Sequence, residues 1–228
     1  MENIAKIAHQ NFAPQNLGGL IDHTNLKPEA TEADIKKLCQ EAKEYGFRAV
    51  CVNLAWVQVC VEELKGTDVK IAAVIDFPLG AGGTKNRASQ AKIAKEMGAT
   101  EIDIVLPIGE FKAGNHQKVL EDLKAVSKIL PTKVIIETGY LNDEEIKKAS
   151  EIVKKSGAFC VKTSTGFMAN IELEKKLGHV RIMREVVGPN FCIKAAGGIK
   201  TAEDAQKFIE AGADIIGTSA GVEIIKQL

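Results

Sequence analysis

A chain of 228 residues is long enough to bury a sizeable core, and 30 Lys+Arg against 30 Asp+Glu leave it with no formal net charge. That balance removes the basic footprint that binding to a phosphate backbone requires, so no nucleic-acid partner is expected. No run approaches the ~18 apolar residues of a membrane span, residues 1–8 lack a signal-peptide pattern, and Cys39, Cys51, Cys60, Cys160 and Cys192 form no C-x-x-C pair; a soluble cytoplasmic protein with reduced thiols and no membrane partner is expected.

A helix is expected first, over residues 1–11. Eight β-branched runs follow, read as strands over 19–24, 49–53, 69–77, 101–106, 133–138, 158–163, 191–195 and 214–218. Lys/Glu/Ala-rich segments of helical period separate them, with starts near Thr31, Leu54, Asn86, Gly109, Asn142, Asn170, Thr201 and Ala220. Thr31, Asn142 and Thr201 each precede acidic first-turn residues, as N-caps do. Gly46, Gly98, Gly157 and Gly212 each follow a helical stretch and read as helix stops. With no linker or shift in composition, residues 1–228 read as a single domain of eight βα units: a (β/α)8 TIM barrel with an additional N-terminal helix. An open dinucleotide-binding sheet would carry G-x-G-x-x-G after its first strand, whereas Gly18 and Gly19 stand at that strand's start. The run Gly80-Ala-Gly-Gly-Thr-Lys85 lacks P-loop spacing and reads as a flexible βα loop.

Barrels place reactive groups at the C-terminal ends of strands. Those ends read Asp22-His23-Thr24, Asn53, Asp76, Asp103, Glu137-Thr138, Lys162-Thr163, Lys194 and Thr218-Ser219. Strands six and seven echo each other, Phe-Cys-Val-Lys162 against Phe-Cys-Ile-Lys194, which puts two ammonium groups close together. Crowding and desolvation then favour a neutral amine on one of them, a nucleophile able to condense with a carbonyl. Period two turns Ile102 and Ile104 toward the helices and Asp103 into the barrel, where a carboxylate needs a cation or donor beside it. The turns Ala195-Ala-Gly197-Gly198-Ile-Lys200-Thr201 and Gly217-Thr218-Ser219-Ala220-Gly221 follow strands seven and eight, where barrels hold phosphate with backbone N–H groups. No metal or cofactor is expected, because His9, His23, His116 and His179 are scattered without ligand spacing. His116 and His179 read as surface residues, and His23 as a positioning or core residue. Cys51 reads as lining the cavity, with no neighbouring His to activate it.

At these residues the sequence resembles the deoxyribose-phosphate aldolases. The resemblance runs through Ile21-Asp-His-Thr-Asn-Leu-Lys-Pro28, Val50-Cys-Val-Asn53, Phe77-Pro-Leu-Gly80, Glu101-Ile-Asp-Ile-Val105, Ile136-Glu-Thr-Gly-Tyr140, Val161-Lys-Thr-Ser-Thr-Gly-Phe167, Lys194-Ala-Ala-Gly-Gly-Ile199 and Gly217-Thr-Ser219. It implies that Lys162 forms a Schiff base, that Lys194 lowers its pKa, and that Asp103 serves a water-assisted proton relay. It further implies that Asp22, Thr24 and Thr165 surround the substrate, and that Gly166, Gly197, Gly198, Gly217 and Ser219 hold its phosphate. The implied reaction cleaves a small phosphosugar, 2-deoxy-D-ribose 5-phosphate, to D-glyceraldehyde 3-phosphate and acetaldehyde, in a homodimer or homotetramer. Asp76 replaces a usual Gly, which is expected to alter the cavity wall; Pro107 replaces an Asn, and Ala220 a second Ser. The ending Lys226-Gln-Leu228 lacks the tyrosine tail of some relatives. Another Schiff-base phosphosugar aldolase or a transaldolase would share Lys162, and a non-catalytic phosphometabolite-binding barrel would keep only the glycine turns.

Overall fold

The β-branched runs fold as eight parallel strands that close on themselves in the order β1 to β8, in a computed structural model that describes residues 14–168 and 171–228. The strands are β1 (Ile21–Asn25), β2 (Ala49–Asn53), β3 (Lys70–Ile75), β4 (Glu101–Val105), β5 (Thr132–Ile135), β6 (Cys160–Lys162), β7 (Cys192–Ala196) and β8 (Ile215–Thr218). The helices around them are α1 (Glu32–Glu44), α2 (Val57–Glu63), α3 (Thr84–Glu96), α4 (Ile108–Lys112), α5 (His116–Ser127), α6 (Asp143–Lys155), α7 (Leu173–Val187), α8 (Ala202–Glu210) and α9 (Gly221–Ile225). The expected helix over residues 1–11, His9 and the helix start near Asn170 lie outside the described residues.

Alternation along the strands makes two different interiors. Val50, Val52, Ile102, Ile104, Val134, Val161, Ile193 and Ile216 face the helices in one continuous apolar annulus. Burying each such side chain contributes about 1.5–3 kcal/mol, so this annulus is the main source of stability. The opposite faces project into the lumen and carry Asp22, Asp103, Lys133, Lys162 and Lys194, all buried.

The three expected N-caps are present. Thr31 and Asn142 form full capping boxes with Asp34 and Glu145, and the Thr201 side chain accepts from the Asp204 N–H. The four stop glycines all adopt positive φ. Elsewhere backbone conformation shortened the expected strands: β3 ends at Ile75 because Asp76 takes φ 46°, and β5 ends ahead of Glu137 at φ 50°. The helix expected near Gly109 is two helices, broken where Gly114 turns at φ 79°. The one expected near Leu54 opens as a 3-10 turn, Leu54–Trp56, before α2.

His179 corrects the surface reading. It is buried on α7, which packs along α6, and neither ring nitrogen has a hydrogen-bond partner among the described residues. Helical polarity in sequence concealed this because its neighbours Lys175, Lys176 and Arg181 are charged while position 179 points inward. Burial, with Lys175 nearby, lowers its pKa below the ordinary histidine value and outweighs the opposing effect of Asp143. The unfolded chain therefore takes up this proton first as pH falls below ~6.5, and folding free energy declines through that window. Urea unfolding at pH 7.5 and 5.5 should show a smaller pH-dependent loss for His179→Leu than for the unmodified chain.

Candidate active site

In-register pairing of β6 with β7 sets Lys162 directly opposite Lys194. Both donate to the same oxygen, Asp103 Oδ2, at 2.8 Å each, so the two nitrogens lie no farther apart than twice that distance. Asp103 comes from β4 on the far side of the lumen, as period two required. Its other oxygen accepts from Lys133 of β5 at 2.9 Å, the residue aligned with Asp103 in the β4–β5 ladder.

The network continues beneath this centre. Lys194 also donates to Asp22 Oδ2 at 2.5 Å, and Lys133 reaches Glu101 Oε2 at 3.0 Å and Asp22 Oδ2 at 3.6 Å. Arg48 bridges Asp22 and Glu101, at 2.6 Å to each. Among the described residues, four cations thus face three carboxylates. Burial by itself raises the Asp22 and Asp103 carboxyls, but Arg48 and Lys194 around the first, and all three lysines around the second, hold both well below the usual carboxylate range. Burial opposes charge on Lys133 and Lys194 too; their carboxylate neighbours outweigh it and raise both above the ordinary ammonium value.

Lys133, Arg48 and Glu101 were not expected at the site. The available signal was Asp103 itself: an inward carboxylate demands a cation, and Lys133 opens the neighbouring strand with the same inward parity. Cys51 does face the lumen, with Sγ 4.0 Å from Asp103 Oδ2, and burial pushes its thiol up, which keeps it protonated.

A cleft of about 850 Å³ opens at the C-terminal end of the barrel. Of the charge network, among the described residues, Lys162 alone lines it. Gly166, Gly197, Gly198, Gly217 and Ser219 line the same cleft, as do Thr24, Thr165 and Lys200. Asp22 does not: it lies behind Lys194 as a counter-ion, because its carboxylate is drawn inward by Arg48 and Lys194. The turn residues expected to hold phosphate also have structural duties. A Cβ on Gly217 would stand 2.8 Å from Lys194 Cε, so that glycine makes room for the lysine stem. Lys176 Nζ braces the Gly197 carbonyl at 2.9 Å, and the Gly166 N–H already donates to Ser164 Oγ at 3.0 Å. Thr24 is half-buried and donates to the Asp22 carbonyl at 2.9 Å.

Other expectations resolve around this centre. His23 is buried against Phe47, with Nε2 2.8 Å from Glu41 Oε2, which is a positioning arrangement. Asp76 lies off the cleft wall, contrary to expectation, because Arg87 holds its carboxylate at 2.8 Å while the Gly82 N–H donates to it at 2.9 Å. Pro107 and Ala220 occupy the N-caps of α4 and α9. Among the described residues no group of three or more His, Cys, Asp or Glu side chains is placed to hold a metal ion.

Removing one member should leave its buried partners short of a hydrogen-bond donor. Lys133→Met strips Asp103 and Glu101 of a buried partner, and equilibrium unfolding in urea should show a loss of about 3–5 kcal/mol.

The family model described as DeoC/LacD family aldolase matches residues 19–227. A deoxyribose-phosphate aldolase of Aciduliprofundum boonei is 51% identical over 219 residues, 94% of this chain and 97% of its own. That of Mycoplasmopsis pulmonis is 49% identical over 213 residues, 92% of this chain and 96% of its own. Among solved structures, the deoxyribose phosphate aldolase of Aeropyrum pernix, described as a unique tetramer, superposes with a TM-score of 0.85 at 30% identity, covering 98% of this chain and 96% of that one. With a model match across the barrel and relatives near half identity over almost their full length, this chain belongs to the DeoC/LacD family of aldolases.

Proposed function

We propose that the chain reversibly cleaves 2-deoxy-D-ribose 5-phosphate to D-glyceraldehyde 3-phosphate and acetaldehyde through a Schiff base on Lys162. One observation carries the choice of residue: among the described residues the buried network has four cations for three carboxylates, and Lys162 is its one member on the cleft wall. With Lys162 as a neutral amine, the cluster counts three cations for three carboxylates. Lys162 contacts a single carboxylate, whereas Lys194 contacts two and keeps its proton.

In the synthetic direction the Lys162 amine adds to acetaldehyde, and the carbinolamine loses water to give a protonated iminium. Loss of an α-proton moves the electron pair onto nitrogen and forms an enamine. The enamine carbon attacks the acceptor carbonyl, whose oxygen takes up a proton, and water then releases the product and restores the amine. The iminium is the electron sink. Asp103 is ionised beside it and favours that cation, as Lys194 does the free amine beforehand. A carboxylate held by the Lys133 and Lys194 ammonium groups is a weak base, so we assign it the task of orienting the water that carries the α-proton. The turns at Gly166, Gly197, Gly198, Gly217 and Ser219, with Lys200 at their edge, bind the phosphate and fix the acceptor's far end. The reading takes the barrel as the single catalytic domain of a cytoplasmic homo-oligomer. No helix among the described residues is long and apolar enough to cross a membrane, and the tetramer described for the Aeropyrum pernix relative supports the assembly.

Incubation with acetaldehyde and borohydride should add a two-carbon adduct to Lys162, read by peptide mapping. An adduct confined to another lysine would falsify the assignment.

Replacing Lys194 tests the charge argument. In Lys194→Met three cations meet three carboxylates with Lys162 still charged, so the amine becomes scarce near neutrality. The rate of acetaldehyde imine formation should fall about tenfold or more at pH 7, which a change of only ~1.4 kcal/mol produces, and recover in part as pH rises. Lys194→Arg should retain more of the rate if the guanidinium fits. An unchanged pH midpoint in Lys194→Met would remove Lys194 from this role.

A further inference from the structure

Glu137 is a buried carboxylate outside the lysine network. It follows β5 at φ 50°, a conformation that disfavours a side chain, and it is 2% exposed. Among the described residues its partners all belong to one residue: Oε2 accepts from Thr165 N–H at 3.0 Å and from Thr165 Oγ1 at 2.5 Å, while Oε1 has none. A buried carboxylate with half its capacity unused costs stability, and so does its backbone. What both sustain is the orientation of Thr165.

The consequence follows from counting. A threonine hydroxyl has one hydrogen to give and two lone pairs. The hydrogen goes to Glu137. One lone pair accepts from the Phe167 N–H at 3.1 Å. One lone pair remains, on a residue that lines the cleft. Thr165 therefore meets the substrate only as an acceptor. It lines the same cleft as Lys162, the residue assigned to the reacting carbon, and immediately precedes Gly166, assigned to the phosphate, so we assign it the stretch of substrate between the two. A phosphate oxygen would be repelled there; an O–H group would be held.

Resting on the aldolase reading above, we propose that Glu137 is a positioning residue that fixes Thr165 as a pure hydrogen-bond acceptor for the acceptor aldehyde's hydroxyl group, and so selects phosphorylated aldehydes hydroxylated beside the carbonyl.

The test compares three acceptors with acetaldehyde as donor: glyceraldehyde 3-phosphate, 3-oxopropyl phosphate, which lacks the hydroxyl, and the analogue with fluorine in its place. Fluorine can accept but cannot donate. Thr165→Val should lower kcat/KM about tenfold for the hydroxylated acceptor and less than about twofold for the other two, with Thr165→Ser close to the unmodified chain. Glu137→Gln should show the same pattern, smaller, and add nothing further in the Thr165→Val background. Equal losses for all three acceptors would assign Glu137 and Thr165 a merely structural role and overturn the inference. So would a loss for the fluorinated acceptor matching that for the hydroxylated one, which would make Thr165 a donor. If Glu137→Gln does not fold, the two Thr165 variants decide alone. Borohydride trapping on Lys162 runs in parallel: an adduct without acceptor discrimination overturns this inference alone, and no adduct in the unmodified chain overturns the aldolase reading with it.

Discussion

Three lysine side chains converge on the buried carboxylate of Asp103, and the rest of the lumen is arranged around that contact. An isolated carboxylate there would simply take up a proton, since burying its charge uncompensated is far too costly. Lys133 and Lys194 then carry the same problem outward, because each is itself fully buried. Asp22 and Glu101 answer their charges, and Arg48, half-buried beneath, ties those two carboxylates together. Among the described residues the chain of compensation ends with one cation to spare, and Lys162 is the member that touches the cleft. The surplus is a property of the set, and no single pair within it would produce it.

Such a cluster is poor value for stability. Well-packed apolar residues of similar volume would do as well or better, so the network is held in place by the apolar annulus outside it. The two are physically separate because strand alternation sends neighbouring residues to opposite faces. Ile102 and Ile104 anchor β4 against the helices, and that anchoring aims Asp103 at the lysines. Closure of the barrel supplies what an open sheet could not: β1, β4, β5, β6 and β7 all present charges to one axis.

Above the network the βα loops are bound to one another instead of lying free. Thr218 Oγ1 donates to the Ile199 carbonyl at 2.6 Å and joins the two glycine turns, while Lys176 braces the first of them. On the opposite rim Asp76 adopts a backbone conformation suited to glycine. It offsets that strain with bonds to Gly82 and Arg87, and Arg87 Nε lies 3.0 Å from Asp122 of α5. Asp76 therefore clamps this loop away from the cleft lining. Loops tied together in this way can hold a small ligand in a fixed position, as the proposed reaction requires.

Local patterns in the chain were enough to determine the eight βα units, the caps at Thr31, Asn142 and Thr201, and the inward face of Asp103, since each depends on neighbours within a few residues. The echo between strands six and seven likewise foretold Lys162 opposite Lys194, because parallel strands in register repeat one another. Tertiary structure alone decided how far the charges are compensated. Lys133, Arg48 and Glu101 look ordinary at the starts of strands, and only closure of the barrel brings them beneath Asp103. Closure also withdrew Asp22 from the cleft to serve Lys194, turned His179 inward on a helix that reads as polar, and set Glu137 against Thr165 across 28 residues of chain. Short-range geometry is encoded by period and capping. The balance of buried charge depends on which distant side chains share one small volume, and no stretch of sequence contains that information by itself.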